Sequence, residues 1–102
     1  MANVSRIEVC TIVARNYLAF ARVLARSVAE HHPGWRFTAL VVDPEGGGTE
    51  EPFRTIGLES IGLPPGEDRL LPLIYDVTEL ATAVKPWLLR HLLAGGPDAV
   101  LY

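Results

Sequence analysis

Two short runs of apolar, largely β-branched residues bracket a stretch of helical periodicity. This alternation constrains the fold more than any other feature. Ile7 to Val13 reads Ile-Glu-Val-Cys-Thr-Ile-Val, and Phe37 to Val42 reads Phe-Thr-Ala-Leu-Val-Val. A strand buried on both faces loses the in–out alternation of a surface strand, so such runs mark parallel sheets covered by helices. Between them Tyr17, Phe20, Ala21, Leu24 and Val28 recur at three-to-four spacing, with Arg22, Arg26 and Glu30 opposite. That spacing predicts a helix from Tyr17 to about His31 with this stripe turned inward. Asn16 is placed to cap it, and His31-His32-Pro33-Gly34 to end it. Strand, helix and strand in this order make a βαβ unit. The fold class is therefore α/β, a Rossmann-like and mainly parallel sheet with flanking helices, in one domain over residues 1–102.

The remainder carries weaker signals. Glu45 to Pro52 is a polar loop holding Gly46, Gly47 and Gly48. Phe53 to Ile56 reads as a short strand, Leu58 to Leu63 as a helical turn, and Glu67 to Leu73 as a short helix. Asp76-Val-Thr-Glu79 has the form of a capping box and starts a helix reaching about Ala83. Pro86, at a position where proline is favoured, reads as the first residue of a further helix to Leu93. Gly95-Gly96-Pro97-Asp98 is a stop and turn, and Ala99 opens an apolar strand. That strand is expected to be cut short at Tyr102, just before the carboxyl-end crevice where open α/β sheets place their chemistry. The domain is accordingly expected to be incomplete.

Composition narrows the function classes. With glycine counted, the apolar share exceeds the ~45–50% usual in soluble domains, as expected of a piece whose apolar faces meet more protein. No apolar run approaches the roughly eighteen residues of a membrane span. The start, Met-Ala-Asn-Val-Ser-Arg, lacks the layout of a signal peptide. One cysteine, Cys10, rules out an internal disulfide and suits a cytoplasmic location. A net charge of −3 gives no electrostatic footprint for nucleic acid.

Several residues invite chemistry. The three glycines sit among Glu45, Glu50 and Glu51 with no helix start or lysine behind them, so they do not form a phosphate loop. The first strand leads into Ala14-Arg15-Asn16-Tyr17, which lacks a dinucleotide fingerprint. His31, His32 and His91 have no partners at metal-ligand spacing and read as helix-end and surface residues. Cys10, inside a strand with no nearby basic group to lower its pKa, reads as an inert buried thiol. Asp43 ends the second strand, either accepting from a base or ribose or serving as a turn aspartate before Pro44. Tyr17 is either core or a ring for stacking at the crevice mouth. Lys85, just before the Pro86 helix, is either solvated or shares an anion with that helix's free N–H groups.

Val9 to Val28, from Val-Cys-Thr-Ile-Val-Ala-Arg-Asn-Tyr to Ser-Val, resembles the opening strand and helix of GT-A-fold glycosyltransferases, most of all the glycogenin-like and galactosyltransferase-like enzymes of family 8. The tail from Ala83 to Leu93, followed by Asp98-Ala-Val-Leu-Tyr102, resembles the same family's later helix and strand. The resemblance covers both ends of the chain and little of its middle. It implies transfer of a sugar from a UDP-sugar, or another nucleotide-sugar, to an acceptor. It also implies a nucleotide-sugar site in which Thr11 and Ala14 approach the base and Tyr17 stacks on it. Asn16 belongs to the same turn, Lys85 reaches the diphosphate or sugar, and Asp43 matches strand-end aspartates of GT-A enzymes at large. In that family an Asp-x-Asp pair holds Mn²⁺ or Mg²⁺. Its place falls beyond Tyr102, so no metal ligands are expected within these residues, and the piece alone is expected to transfer nothing.

A second expectation comes from a different class. A free-standing α/β module would catalyse nothing and would pair through the open edge of its sheet, either with itself or with another chain.

Overall fold

The computed structural model describes residues 6–43 and 50–102. The three glycines and most of the polar loop around them lie outside the described residues. Four strands form one sheet: β1 (Ile7–Val13), β2 (Arg36–Val41), β3 (Arg54–Gly57) and β4 (Ala99–Leu101). Their order is β3-β2-β1-β4, and every pairing is parallel. Three α-helices flank the sheet: α1 (Leu18–His31), α2 (Glu67–Ile74) and α3 (Val77–Ala94). The protein is thus the α/β, Rossmann-like fold that the two apolar runs indicate.

Side-chain alternation divides the core in two. Val9, Phe37 and Ala39 face α1, where Ala21 packs with Ala25 and Val28. Cys10, Ile12, Leu40 and Ile56 face the other way, against Leu80, Val84, Leu88 and Leu92 of α3. The right-handedness of parallel crossovers accounts for this division. The chain moves one way along the sheet from β1 to β2, and the opposite way from β3 to β4. One handedness applied in opposite directions puts α1 and α3 on opposite faces.

Three local details depart from the sequence reading. Asn16 does not cap α1. It lies within a 3-10 turn, Arg15–Tyr17, and Tyr17 takes the N-cap place without a side-chain bond. The acceptor comes instead from β2's end, where Asp43 Oδ1 receives the Arg15 N–H at 2.8 Å.

The inward stripe of α1 is also displaced. Leu18 and Ala21 are buried and Ala25 and Val28 half-buried, whereas Tyr17, Phe20 and Leu24 are exposed, Phe20 at 69%. A 3-10 turn advances about 120° per residue against 100° in an α-helix. The three-residue turn before Leu18 therefore rotates the stripe by about 60°, a little over half a position. Small Ala21 and Ala25 then bring the helix close to the sheet.

The third departure is at Pro86, which does not begin a helix. The capping box at Asp76 forms, with Glu79 N–H to Asp76 Oδ1 at 2.8 Å and Asp76 N–H to Glu79 Oε1 at 3.1 Å. From there α3 runs unbroken to Ala94 with Pro86 inside it. Interior proline costs about 3 kcal/mol. Leu80, Val84, Leu88 and Leu92 bury one continuous stripe across it, each burial contributing roughly 1.5–3 kcal/mol. Pro86 faces outward, and the carbonyl of exposed Thr82, which loses its N–H partner, can turn to water.

The α1 stripe can be tested by substitution. Ala21→Leu should lower stability by about 1–3 kcal/mol through overpacking, while Phe20→Ser should leave it within about 0.5 kcal/mol. Urea denaturation midpoints of the two variants would show the reverse order if the Tyr17–Phe20–Leu24 stripe faced the sheet.

Candidate functional site

In an open parallel sheet the ligand crevice lies beyond the carboxyl ends of the strands, where the strand order reverses. Here that reversal falls between β1 and β4. Beyond β1 come Ala14 and the 3-10 turn, beyond β2 Val42 and Asp43, beyond β3 the turn Leu58–Ser60, and beyond β4 Tyr102.

The β1 and β2 ends are tied together. Val42 N–H donates to Val13 O at 3.0 Å, Tyr17 N–H donates to Ala14 O at 2.9 Å, and Asp43 holds Arg15. Asp43 therefore has a structural task in addition to its place at the crevice, because it supplies the acceptor that starts the turn carrying Tyr17. Ala14 is buried, with its methyl in the α3-side core. Tyr17 is 52% exposed, and its ring lies 5.7 Å from that of Phe20. It is not a core residue, and its exposed face is available for stacking.

Lys85 sits elsewhere. It lies within α3, so no free helix N-terminus stands beside it, and the shared-anion arrangement does not form. Its ammonium is 4.0 Å from the centre of the Tyr102 ring, a cation–π contact. Thr11 alternates with Cys10 and Ile12 and so lies on the α1 face, opposite Ala39. The fold thus brings Asp43 to the turn that holds Ala14, Asn16 and Tyr17. It groups Lys85 with Tyr102 on the α3 face, across the sheet from Thr11.

Between the β2 and β3 ends and α2 opens a cleft of about 370 Å³ lined by Asp43, Glu59, Asp68 and Arg69 among others. Three carboxylates against one guanidinium make it acidic. Among the described residues, no group of three or more His, Cys, Asp or Glu side chains is placed to hold a metal ion. Two of the histidines are used otherwise. His31 Nδ1 lies 2.8 Å from Ser27 O, which requires the proton on that nitrogen, and His32 stacks on Trp35 at 3.7 Å between ring centres.

Cys10 is 1% exposed. Burial, with a smaller push from the Glu8 carboxylate, raises its thiol from 9.0 to about 11, while Lys85 opposes the shift. Burial also raises the Tyr102 phenol, with Cys10 adding to the effect. Across the other face, Arg22 of α1 grips Glu51 through two bonds of 2.6 and 2.8 Å. That hydrogen bonding holds the Glu51 carboxyl below its ordinary value and raises Arg22.

Sequence reasoning passed over Tyr102, Glu8 and Thr38. Glu8 and Thr38 had a readable signal, because each is a polar residue inside an otherwise apolar strand. Among the described residues no helix is long and apolar enough to cross a membrane.

Two predictions follow from this geometry. The folded state holds the Cys10 and Tyr102 protons more tightly than the unfolded chain does. Their contribution to stability is therefore complete below pH 9 and is lost as pH rises through about 11. Denaturation midpoints across that window should fall, and Cys10 should resist thiol reagents at neutral pH in the folded chain while reacting in urea. Separately, Asp43→Ala should lower stability by about 0.5–2 kcal/mol, the range for losing a helix-start acceptor, with amide exchange at Arg15 rising first.

No known protein family, curated protein or solved structure matches this chain.

Proposed function

We propose that this chain is the nucleotide-recognition part of a glycosyltransferase that takes its sugar from a UDP-sugar or another nucleotide-sugar. The observation that carries the reading is the reversal of strand order between β1 and β4, with the exposed Tyr17 ring on the turn that leaves β1. In sheets of this kind that place receives nucleotides. Tyr17 offers a stacking face to the base, and Asp43, beside it, offers a carboxylate to base or ribose donors.

On this reading the electrostatics favour one orientation. The acidic cleft between Asp43, Glu59 and Asp68 repels a diphosphate, so the phosphates extend toward β4 and Lys85. Family 8 enzymes neutralise them with Mn²⁺ or Mg²⁺ on an Asp-x-Asp pair. On this reading the residues at the crevice supply recognition of the nucleotide.

A second reading rests on β4. It is an edge strand of three residues, with Leu101 and Tyr102 about half exposed. A non-catalytic module pairing through that edge would use these features directly.

Titration of the ¹⁵N-labelled chain with UDP separates the two readings. The first expects amide shifts centred on Thr11, Ala14 and Tyr17. It also expects about tenfold weaker binding in Tyr17→Ala, from the ~1–3 kcal/mol a base–aromatic stack contributes. A UDP-insensitive spectrum, together with a concentration-dependent dimer whose β4 amides are protected from exchange, would establish the second and remove the first.

A further inference from the structure

At the other end of the sheet, where the strands begin, lies a larger cleft of about 470 Å³ between the sheet and the last turn of α3. Its polar lining is set by register. β1–β2 pairing places Glu8 opposite Arg36, and β2–β3 pairing places Thr38 opposite Arg54. Glu8, Arg36, Thr38 and Arg54 stand in alternation with residues of the α1 face. They therefore share the α3 face with Cys10, Leu40 and Ile56.

Glu8 is only 6% exposed, and Thr38 1%. The bond the structure gives the Glu8 side chain is one from the Thr38 hydroxyl to Oε2, at 3.2 Å. A carboxylate has about four acceptor sites, and a buried one left mostly unused is energetically unfavourable. Two guanidiniums stand close by without neutralising it. Among the described residues neither Arg36 nor Arg54 makes an ion pair. Arg6, at the rim, is held by the Gly96 carbonyl. The cleft thus presents a buried acceptor with spare capacity and two unengaged planar cations, in a volume typical of small-molecule sites.

We propose that this cleft binds a small phosphate or carboxylate that carries a hydroxyl group next to its anionic end. Arg36 and Arg54 receive the anion through paired N–H donors, the geometry in which guanidinium matches both oxyanions. Glu8 receives the hydroxyl proton on the oxygen that Thr38 leaves open. The last turn of α3, Ala94 and Gly95, also lines the cleft. Its negative dipole end turns the anion away from α3 and toward the arginines. Arg36 and Arg54 supply charge and Glu8 supplies selectivity, since a bare anion has no proton to give it.

The site is independent of the nucleotide crevice at the opposite end, and its test reads different amides. The labelled chain is titrated at about pH 8, where phosphate monoesters are dianions, with glycerol 3-phosphate, glycerate, their hydroxyl-free matches methyl phosphate and propionate, and glycerol. Glycerol 3-phosphate, glycerate or both should shift the amides of Glu8, Arg36, Arg54 and His91, with affinity about tenfold above that for the matching hydroxyl-free anion. Arg36→Ala with Arg54→Ala, both at exposed positions, should abolish these shifts while the rest of the spectrum stays in place. Glu8→Gln should bring glycerol 3-phosphate down to the affinity of methyl phosphate. Silence with both hydroxylated anions, binding that survives the double arginine variant, or equal affinity for the hydroxyl-free matches would each overturn the proposal.

Discussion

The pairing of β1 on both of its edges is the constraint from which the rest of the structure follows. Glu8 to Val13 bond to β2, and Ile7 to Val9 bond to β4. A strand in that position has neither edge nor face left for water, so it must be apolar almost throughout. Its neighbours must also arrive through crossovers, because parallel strands cannot be joined by a hairpin. One crossover runs outward through α1, and the other returns through α2 and α3. A single handedness then covers both faces and opens a crevice at β1's carboxyl end. The β4 side is fastened at its start by Asp98, whose N–H donates to Arg6 O at 2.7 Å and whose carboxylate receives the Arg6 N–H. Those two bonds set the register in which Ile7 meets Ala99.

All strands being parallel has an electrostatic consequence. Residues at strand starts collect at one end of the sheet, and residues at strand ends collect at the other. Arg6, Arg36 and Arg54 therefore converge at the amino end, while Asp43 and Glu59 converge at the carboxyl end. A chain with a net charge of −3 thus becomes polarised, basic where the strands begin and acidic on one side of where they finish. The apolar layer of Cys10, Ile12, Leu40 and Ile56 separates the two. An anion and a nucleotide base have different natural places on such a molecule, and the two proposed sites occupy those different places.

Much of this arrangement was legible in the residues, and the legible parts share a cause. The strands at Ile7, Phe37 and Phe53, the capping box at Asp76 and the stop at Gly95 are written by residues within a few positions of one another. Their signals are steric or hydrogen-bonding preferences of the local chain. The departures occur where a distant residue overrides a local preference. Asn16 is a good cap, but Asp43, far along the chain, supplies the acceptor first. Pro86 is a good helix start, but the stripe from Leu80 to Leu92 buries more as one helix than as two. Lys85 lost the helix start expected beside it for the same reason, since an uninterrupted α3 has no free N–H groups there. The phase of α1 changed because a 3-10 turn precedes it, and no periodicity within the helix records that turn.

The candidate residues follow the same division. Tyr17 and Asp43 could be named in advance because each stands just past an apolar strand, and strand ends in α/β sheets converge by topology. Glu8, Arg36 and Arg54 could not be assembled beforehand, because only strand register says that one residue of β1, one of β2 and one of β3 lie side by side on one face. The amino-acid order settles which segments are strands and helices, since burial pattern and capping are short-range. Which side chains meet is settled by pairing across the sheet, since a shift of one residue would send every one of them to the opposite face.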